Sequence, residues 1–163
     1  MDSHGNSGMS GPPSFHPIGT VHCGRSEPID DNWDSLPAII ELDERRFAAD
    51  ALLGLDTFSH VEILYLFHLV DESDANLGAR NPRGRKEWPK VGIFAQRGKE
   101  RPNRIGATIC RVEKVEGVQL HVSGLDAVDG SPVLDIKPVM KSFLPRGELR
   151  EPDWCAELMR DYW

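Results

Sequence analysis

Cysteine is scarce in this sequence. The 163 residues include three cysteines, Cys23, Cys110 and Cys155, an odd number at wide spacing. There is no CxxC pair and no Cys/His quartet with the spacing of a zinc ribbon. We therefore expect a reducing cytosolic environment, without a disulfide framework or structural zinc. A chain of this length can bury enough apolar surface to fold as one domain without such cross-links.

Long hydrophobic runs and targeting signals are also missing. The longest apolar run, Val61 to Val70, contains Glu62 and His68 and is far shorter than the ~20 residues of a spanning helix. Residues 1–14 have neither the basic nor the apolar region of a signal peptide, so we expect a disordered leader. These absences predict a cytoplasmic protein that does not enter a membrane.

Several catalytic and ligand-binding motifs are absent as well. No GxGxxG follows a predicted strand, and neither GxxxxGK[ST] nor a Gly-x-Ser-x-Gly elbow occurs, so dinucleotide, P-loop and covalent-hydrolase interpretations have no support. His60, Glu62 and His68 could suggest a metal site. On one strand, however, the two histidines would be roughly 27 Å apart at ~3.3 Å per residue, so we predict no metal.

The sequence is rich in short apolar segments of period two, interrupted by Gly and Pro, which is typical of strands. Spacing also predicts a helix over residues 44–53, ending at Gly54, and a second one beginning at Pro152. The pattern favours a mainly β fold, an antiparallel barrel or meander with a few short helices. The predicted strands are Phe15 to Val21, Ala38 to Leu42, Glu62 to Leu69, Val91 to Ala95, Ile105 to Val115, Val118 to Gly124 and Val133 to Ile136.

Charge is unevenly distributed. The formal net charge is −7, but segment 80–104 contains nine basic and two acidic residues, a net charge of +7 that leaves −14 on the remainder. Trp88 and Phe94 lie within this basic segment, and aromatic faces among guanidinium groups suit stacking on exposed bases. The alternative is a solvated loop with ordinary surface charges.

Two polar segments could bind a ligand. The Arg-rich turn from Arg97 to Gly106 could hold a carboxylate or phosphate, because arginine forks bind both groups with two parallel bonds. In the segment after Gly124, Asp126 or Asp129 could accept hydrogen bonds from ribose hydroxyls or an amino group. The alternatives are tight turns with exposed charges or, less specifically, a glycosidase-like carboxylate pair.

Four ordered motifs between Phe15 and Val139 resemble the TrmO family, also called YaeB or TsaA-like, of S-adenosylmethionine-dependent tRNA methyltransferases. They read FHPIGTV, GLDTFSHVEILYLFH, VGIFAQRGKERPNRIG and SGLDAVDGSPVLDIKPV. The resemblance implies a compact β-barrel over residues 15–145, with residues 146–163 as a helical segment packed on it. It also implies a homodimer with S-adenosylmethionine near the interface, methylating the exocyclic nitrogen of threonylcarbamoyl-adenosine beside the tRNA anticodon.

The family's cofactor contacts transfer residue by residue onto this sequence. They fall on His68, Leu69, Arg97, Ala107, Ser123, Gly124, Leu125 and Asp126. Because an amide-like acceptor nitrogen needs help to lose its proton, Arg101 and Asn103 are the candidate catalytic residues. Their alternative role is to shape the turn that contains them. No metal is implied.

The sequence departs from the family pattern at two places. The usual RPNPIG reads RPNRIG, which puts Arg104 where a proline is expected, and residues 26–33 replace an early Pro-Arg-Gln cofactor loop. Loops choose the substrate while the barrel is shared. Two other functions therefore stay open: a methyltransferase acting on a small-molecule acceptor, and a non-catalytic, dimeric module that binds adenosylmethionine.

Overall fold

The computed structural model describes residues 14–34 and 36–163, so the expected leader lies, apart from residue 14, outside the described part. Over these residues the chain forms strands and one α-helix, linked by turns and short 3-10 helices. The elements are β1 (Gly19–Cys23), β2 (Pro37–Leu42), β3 (His60–Leu66), β4 (Ala79–Arg80), β5 (Val91–Gly92), β6 (Ile105–Glu116), β7 (Gln119–Ser123), β8 (Pro132–Pro138) and α1 (Asp153–Leu158).

Six strands close into an antiparallel barrel in the order β1-β2-β7-β6-β3-β8, which confirms the predicted fold class. The long β6 pairs with β3 along its first half, from Leu66 opposite Ile105 to His60 opposite Arg111. Its second half forms a hairpin with β7, and both strands of this hairpin were predicted from the sequence. That hairpin turns at Gly117, whose φ of +57° favours glycine.

The interior of the barrel follows the period-two pattern of its strands. On β3, Val61, Ile63 and Tyr65 are almost fully buried, and on β7 so are Leu120 and Val122. The residues between them lie on the outer face, because successive side chains of a strand point to opposite sides. Each strand therefore contributes one row of side chains to the core and one row to the outside.

The loop between β7 and β8 closes one end of the barrel. These two strands are not neighbours, so the connecting residues 124–131 must cross the barrel end. Leu125 and Ala127 are each 2% exposed and belong to the core cluster, and the buried Ser131 hydroxyl donates to the Val128 carbonyl at 2.7 Å. This loop carries Asp126 against the strand ends.

The helix predicted over residues 44–53 does not form. This stretch makes separate turns instead, such as Phe47 N–H to Asp43 O and Leu53 N–H to Asp50 O, followed by a 3-10 helix at Leu55–Thr57. Leu52 is buried, but Leu53 is 85% exposed. A short helix in water depends on packing of one continuous apolar face, and this segment buries too little of it.

Other predicted boundaries also need correction. The strand predicted over Val91 to Ala95 is reduced to β5, which pairs with β4 outside the barrel, and a 3-10 helix follows at Ile93–Ala95. The Gln96 amide donates to the carbonyl of Val91, within β5, at 3.0 Å. The strand predicted over residues 62–69 begins and ends earlier, as β3, so His68 lies in the turn beyond it.

The C-terminal segment packs on loops at the barrel end. α1 is half the length of an average helix and is tied down by the buried Trp88, whose Nε1 donates to Glu157 at 2.8 Å. Beyond it, Asn32 N–H donates to Asp161 O and Trp33 N–H to Tyr162 O, both at 2.9 Å. The helices described by the structure include none long and apolar enough to cross a membrane.

Candidate functional site

Several of the residues singled out by the sequence lie near the point where β3 ends and β6 begins, whereas Ser123 lies on β7, opposite Arg111 farther along β6. After Leu66 the chain turns back, with the His68 N–H donating to the Leu66 carbonyl at 2.8 Å, and Leu69 is 53% exposed in this turn. The Arg104 guanidinium donates to the Val70 carbonyl at 2.7 Å and so joins the Arg-rich turn to the turn that contains His68.

Arg104 also explains how the altered RPNRIG motif folds. Its φ is +51° and that of Asn103 is +63°, so both residues adopt the left-handed conformation within the turn. A proline ring fixes φ near −65° and could not take this conformation. The substitution therefore goes with a different local backbone, which the Arg104 side chain stabilises by its bond to Val70.

Asp126 is the centre of a hydrogen-bond network. Its carboxylate accepts a bond from the Tyr65 hydroxyl at 2.8 Å, and further bonds from the hydroxyls of Thr108 and Tyr162. A carboxylate has about four acceptor positions, so most of its capacity is used inside the protein. The role in ribose binding that the resemblance implies would have to use the remaining capacity.

The two tyrosines of this network are held in the protonated form. Burial, followed by the charge of Asp126, raises the pKa of the Tyr65 hydroxyl far above its ordinary value. The same two causes, in the same order, raise the pKa of Tyr162, and the nearby Arg97 opposes them. Both hydroxyls therefore act as hydrogen-bond donors that fix Asp126.

Arg97 is bonded to the backbone of β6. Its Nη2 donates to the carbonyl of Ala107, which joins two residues that the resemblance places at the cofactor. The residue is exposed, and a guanidinium has five N–H groups. Because only Nη2 is bonded to Ala107, the other N–H groups of the guanidinium can donate to an anionic group.

His68 has a buried ring nitrogen that lacks a partner. Within the described part of the chain, its Nδ1 is inaccessible to solvent and forms no hydrogen bond. A Cβ atom built on Gly130, where φ is +78°, would lie 3.6 Å from its Nε2, so the ring faces the loop after β7. A buried polar atom without a partner is costly, and a bound ligand would remove that cost.

Ser123, Gly124 and Leu125 differ in what they can offer a ligand. The Ser123 hydroxyl donates to Glu113 at 2.5 Å, whereas the Leu125 side chain lies in the core. Gly124 has a φ of +74°, and a Cβ atom there would lie 3.5 Å from Asp34 Oδ1. Leu125 can therefore contribute its backbone, while the positive φ of Gly124 favours glycine at the turn beside Asp34.

The two candidate catalytic residues lie within the Arg-rich turn. Arg101 donates to the Gln96 carbonyl at 2.9 Å, and Asn103 is exposed inside the 3-10 helix Pro102–Arg104. Neither forms a hydrogen bond to Asp126. The structure thus gives Arg101 a turn-shaping contact, and their catalytic role stays a prediction.

Part of the basic segment forms ion pairs within the protein. Its cations pair with carboxylates in Arg80–Glu100, Arg83–Asp31, Arg85–Glu87 and Lys99–Asp30. Arg97, Arg101 and Arg104 instead donate to backbone carbonyls. Lys86 and Lys90 are exposed and have no ion pair with any residue that the structure describes.

The loop that replaces the Pro-Arg-Gln motif is held in place by Arg25. Its guanidinium donates to the carbonyls of Asp31 at 2.8 Å and Asn32 at 2.7 Å, and lies 4.1 Å from the ring centre of Trp33. Together with the backbone bonds that Asn32 and Trp33 donate to the carbonyls of Asp161 and Tyr162, these contacts fix the loop between the barrel and the C-terminal segment.

An open cleft of about 530 Å³ lies beside Ser123, Gly124 and Asp34. Residues on the outer faces of β3 and β6 line one part of the cleft, and Trp163 lines it as well. Its lining includes Asp34, His60, Ile109, Arg111, Ser123 and Trp163. The described residues contain no group of three His, Cys, Asp or Glu side chains placed to hold a metal ion.

Sequence reasoning missed several of these residues. Tyr65 and Thr108 could have been found, since a hydroxyl at an inward position of a strand needs a buried acceptor. Asp34, Tyr162 and Trp163 carry no such signal, because tertiary contacts between distant segments bring them to the site.

Comparison with known proteins places this geometry in a family. The model of the tRNA-methyltransferase O N-terminal domain matches residues 25–143. A Mus musculus protein named tRNA (adenine(37)-N6)-methyltransferase is 44% identical over 93 residues, which are 57% of this chain and 21% of that protein. A protein of Methanothermobacter thermautotrophicus, named a probable S-adenosyl-L-methionine-binding protein, is 48% identical over 90 residues, 55% of this chain and 61% of its own length.

Solved structures agree with the sequence comparison. The crystal structure of TrmO from Pseudomonas aeruginosa superposes with a TM-score of 0.69 at 31% identity, covering 85% of this chain and 61% of that one. The chain thus spans about a fifth of the mouse relative and less than two thirds of the other two proteins. On the match over residues 25–143, the chain belongs to the family of the tRNA-methyltransferase O N-terminal domain.

Proposed function

We propose that this chain is the barrel of an S-adenosylmethionine-dependent methyltransferase that acts on N6 of an adenosine in tRNA. The finer acceptor in this proposal is threonylcarbamoyl-adenosine next to the anticodon, and the location is the cytoplasm. The family membership supports it, since relatives are named for adenine-N6 methylation of tRNA and for binding of S-adenosylmethionine.

The observation that carries the cofactor assignment is the exposed guanidinium of Arg97, which bonds the Ala107 carbonyl near the Tyr162–Asp126 pair. His68 lies in the turn that follows β3. This set fits the cofactor: Arg97 suits its carboxylate, Asp126 can accept from a hydroxyl, and His68 can bond a polar atom of the nucleoside. When bound, the cofactor supplies a methyl group on a sulfonium, which is already a strong electrophile.

The protein's own contribution is then positioning. The network of Tyr65, Thr108 and Tyr162 fixes Asp126, and the bond to Ala107 orients Arg97. The exposed Leu69 can cover the bound group and exclude water. Such alignment contributes several kcal/mol to a transfer reaction, and Arg101 or Asn103 would assist loss of the acceptor's proton.

We further propose that the chain works as a homodimer and contacts tRNA through segment 80–104. Leu69, 53% exposed, provides apolar surface beside the site for a second copy. Lys86 and Lys90 provide cations without an internal partner for phosphates.

Incubation with methyl-labelled cofactor and tRNA tests the proposal. We expect label on the tRNA, and cofactor affinity reduced about tenfold or more in Arg97→Ala, because a charge-assisted bond to a carboxylate is lost. The matched control is Arg45→Ala, whose side chain is 90% exposed and paired with Asp43 away from the site. Unchanged affinity in Arg97→Ala would contradict the placement of the cofactor.

A second candidate is methyl transfer to a small molecule. The internal pairing of the basic segment favours it, because fewer cations remain for phosphates. Label on a small acceptor but not on tRNA would support this candidate. Cofactor binding without transfer to any acceptor would indicate a binding module.

A further inference from the structure

We propose that the cleft under Trp163 binds the acceptor nucleotide, an aminopurine with its phosphate. The purine ring lies against Trp163, its exocyclic amine donates to Asp34, and its phosphate contacts Arg111. This inference rests on the proposed function, since it names the acceptor subsite of the same reaction.

Arg111 is the available cation of this region. It is exposed on the outer face of β6 and forms neither an ion pair nor a side-chain hydrogen bond with any residue in the described ranges. The arginines of the basic segment differ, since each already has an internal partner. An unpaired guanidinium in a cleft suits a phosphate, which it can bind with two bonds.

His60 lies opposite Arg111 in the pairing of β3 with β6 and lines the same side of the cleft. Its Nδ1 is 2.8 Å from the Ser59 hydroxyl, which leaves Nε2 for a ligand. Next along β6, Ile109 is 51% exposed and gives the cleft an apolar floor. This wall therefore offers a cation, a ring nitrogen and an apolar surface.

Trp163 provides a stacking surface on the other side. It packs edge-to-face on Tyr162, with ring centroids 5.0 Å apart, and remains 46% exposed. Its indole is therefore held in position while part of its surface stays accessible at the cleft. An aromatic face in this position stabilises a bound base by stacking, because every base has a π-face.

Asp34 supplies the group that distinguishes one purine from another. It is exposed at the cleft and makes no hydrogen bond or ion pair with another described residue. A carboxylate accepts hydrogen bonds from an exocyclic amine but not from a carbonyl oxygen. The cleft should therefore prefer adenosine monophosphate to inosine monophosphate.

The position of the cleft connects it to the cofactor residues. Trp163 at the cleft follows Tyr162, whose hydroxyl donates to Asp126. A nucleotide in the cleft would thus lie next to the network that holds Asp126, one of the proposed cofactor contacts. This adjacency is what methyl transfer between two bound molecules requires.

The test is a fluorescence titration of the full chain with adenosine or inosine monophosphate, at saturating S-adenosylhomocysteine so that the cofactor site is filled. We expect adenosine monophosphate to quench tryptophan emission and to bind more tightly than inosine monophosphate. In Trp163→Phe most of the quenching should disappear while affinity is retained. In Trp163→Ala affinity should fall at least about fivefold.

Two further variants separate the roles of the polar groups. Arg111→Gln should weaken both nucleotides about equally, because both carry the phosphate, whereas Asp34→Asn should abolish the preference for the adenine nucleotide. Arg45→Gln and Phe143→Ala, at exposed positions outside the cleft, are the controls and should bind like the wild type.

Wild-type affinity in both Trp163→Ala and Arg111→Gln, or an absence of quenching in the wild-type protein, would overturn the assignment of the cleft. Equal affinity for the two nucleotides would overturn the role of Asp34. Calorimetry with S-adenosylhomocysteine alone reports separately on the proposed function. If that ligand does not bind, the proposed function fails irrespective of the cleft.

Discussion

Gly106 is the residue where the barrel wall and the candidate site constrain each other most tightly. A Cβ atom at this position would lie 2.4 Å from Cζ of Tyr65, the atom that carries the hydroxyl bonded to Asp126. Gly106→Ala must push this ring aside. We expect a loss of about 1–3 kcal/mol in the free energy of unfolding, as for overpacked cores, measured by urea denaturation.

The control for this substitution is Gly92→Ala. A Cβ atom added at Gly92 would have no other atom within 4 Å, and the φ of −62° is ordinary. The free energy of unfolding of this variant should therefore change by less than about 0.5 kcal/mol. If Gly106→Ala were equally harmless, Tyr65 would not be fixed against β6 as the structure has it, and the fixed position of Asp126 would be in doubt.

At the scale of single residues, the sequence motifs led to Arg97, Ala107 and Asp126, which do lie at one barrel end. They could not show that Asp126 is occupied by three hydroxyls, because the Tyr162 donor is distant in sequence and reaches it only through tertiary packing. Local pattern identifies which residue types are available, whereas contacts between distant segments decide what they bond to.

Among the elements, the C-terminal segment links the basic loop to the site. Its contact with Trp88 depends on Glu157, which accepts a bond from the buried Nε1. Glu157→Ala would leave that donor without its partner and loosen the segment. We expect a cost of about 1–3 kcal/mol in stability, with faster amide exchange in residues 153–163 measured by mass spectrometry.

Glu151→Ala is the matched control, since Glu151 is exposed and precedes the helix. It should leave exchange in the C-terminal segment unchanged. If amide exchange in both variants were as slow as in the wild type, the backbone bonds to Asn32 and Trp33 would be enough to hold the segment. That result would contradict the expected role of Glu157.

The elements differ in how well the sequence predicted them. The hairpin of β6 and β7 was predictable because Leu120 and Val122 alternate with polar residues, and one face of a strand needs burial. The prediction of a helix over residues 44–53 was wrong, because the spacing of apolar residues does not show whether their face packs against another part of the protein. Only tertiary structure supplies that surface.

At the scale of the whole molecule, the structure shows that part of the positive charge of the basic segment is paired with carboxylates. Segment 80–104 has a net charge of +7 in sequence, a sum that already includes Glu87 and Glu100, but Asp31 and Asp30 from outside the segment pair with Arg83 and Lys99. Asp30 and Asp31 come from the loop that replaces the Pro-Arg-Gln motif. The positive field available to a polyanion is therefore smaller than the sequence indicates, and it centres on the unpaired lysines.

The double variant Lys86→Gln, Lys90→Gln tests whether these lysines contact RNA. Each phosphate contact with a single strand contributes about 0.7 to the slope of log affinity against log salt concentration. If both lysines bind phosphates, the slope for an anticodon stem–loop should become shallower by about 1.4, while cofactor affinity and the unfolding midpoint stay as in the wild type. Arg45→Gln serves as the charge-matched control, and its slope should equal that of the wild type. An unchanged slope in the double variant would remove these two lysines from the RNA interface and leave the phosphate contacts to arginines, with Arg111 on the barrel itself among them.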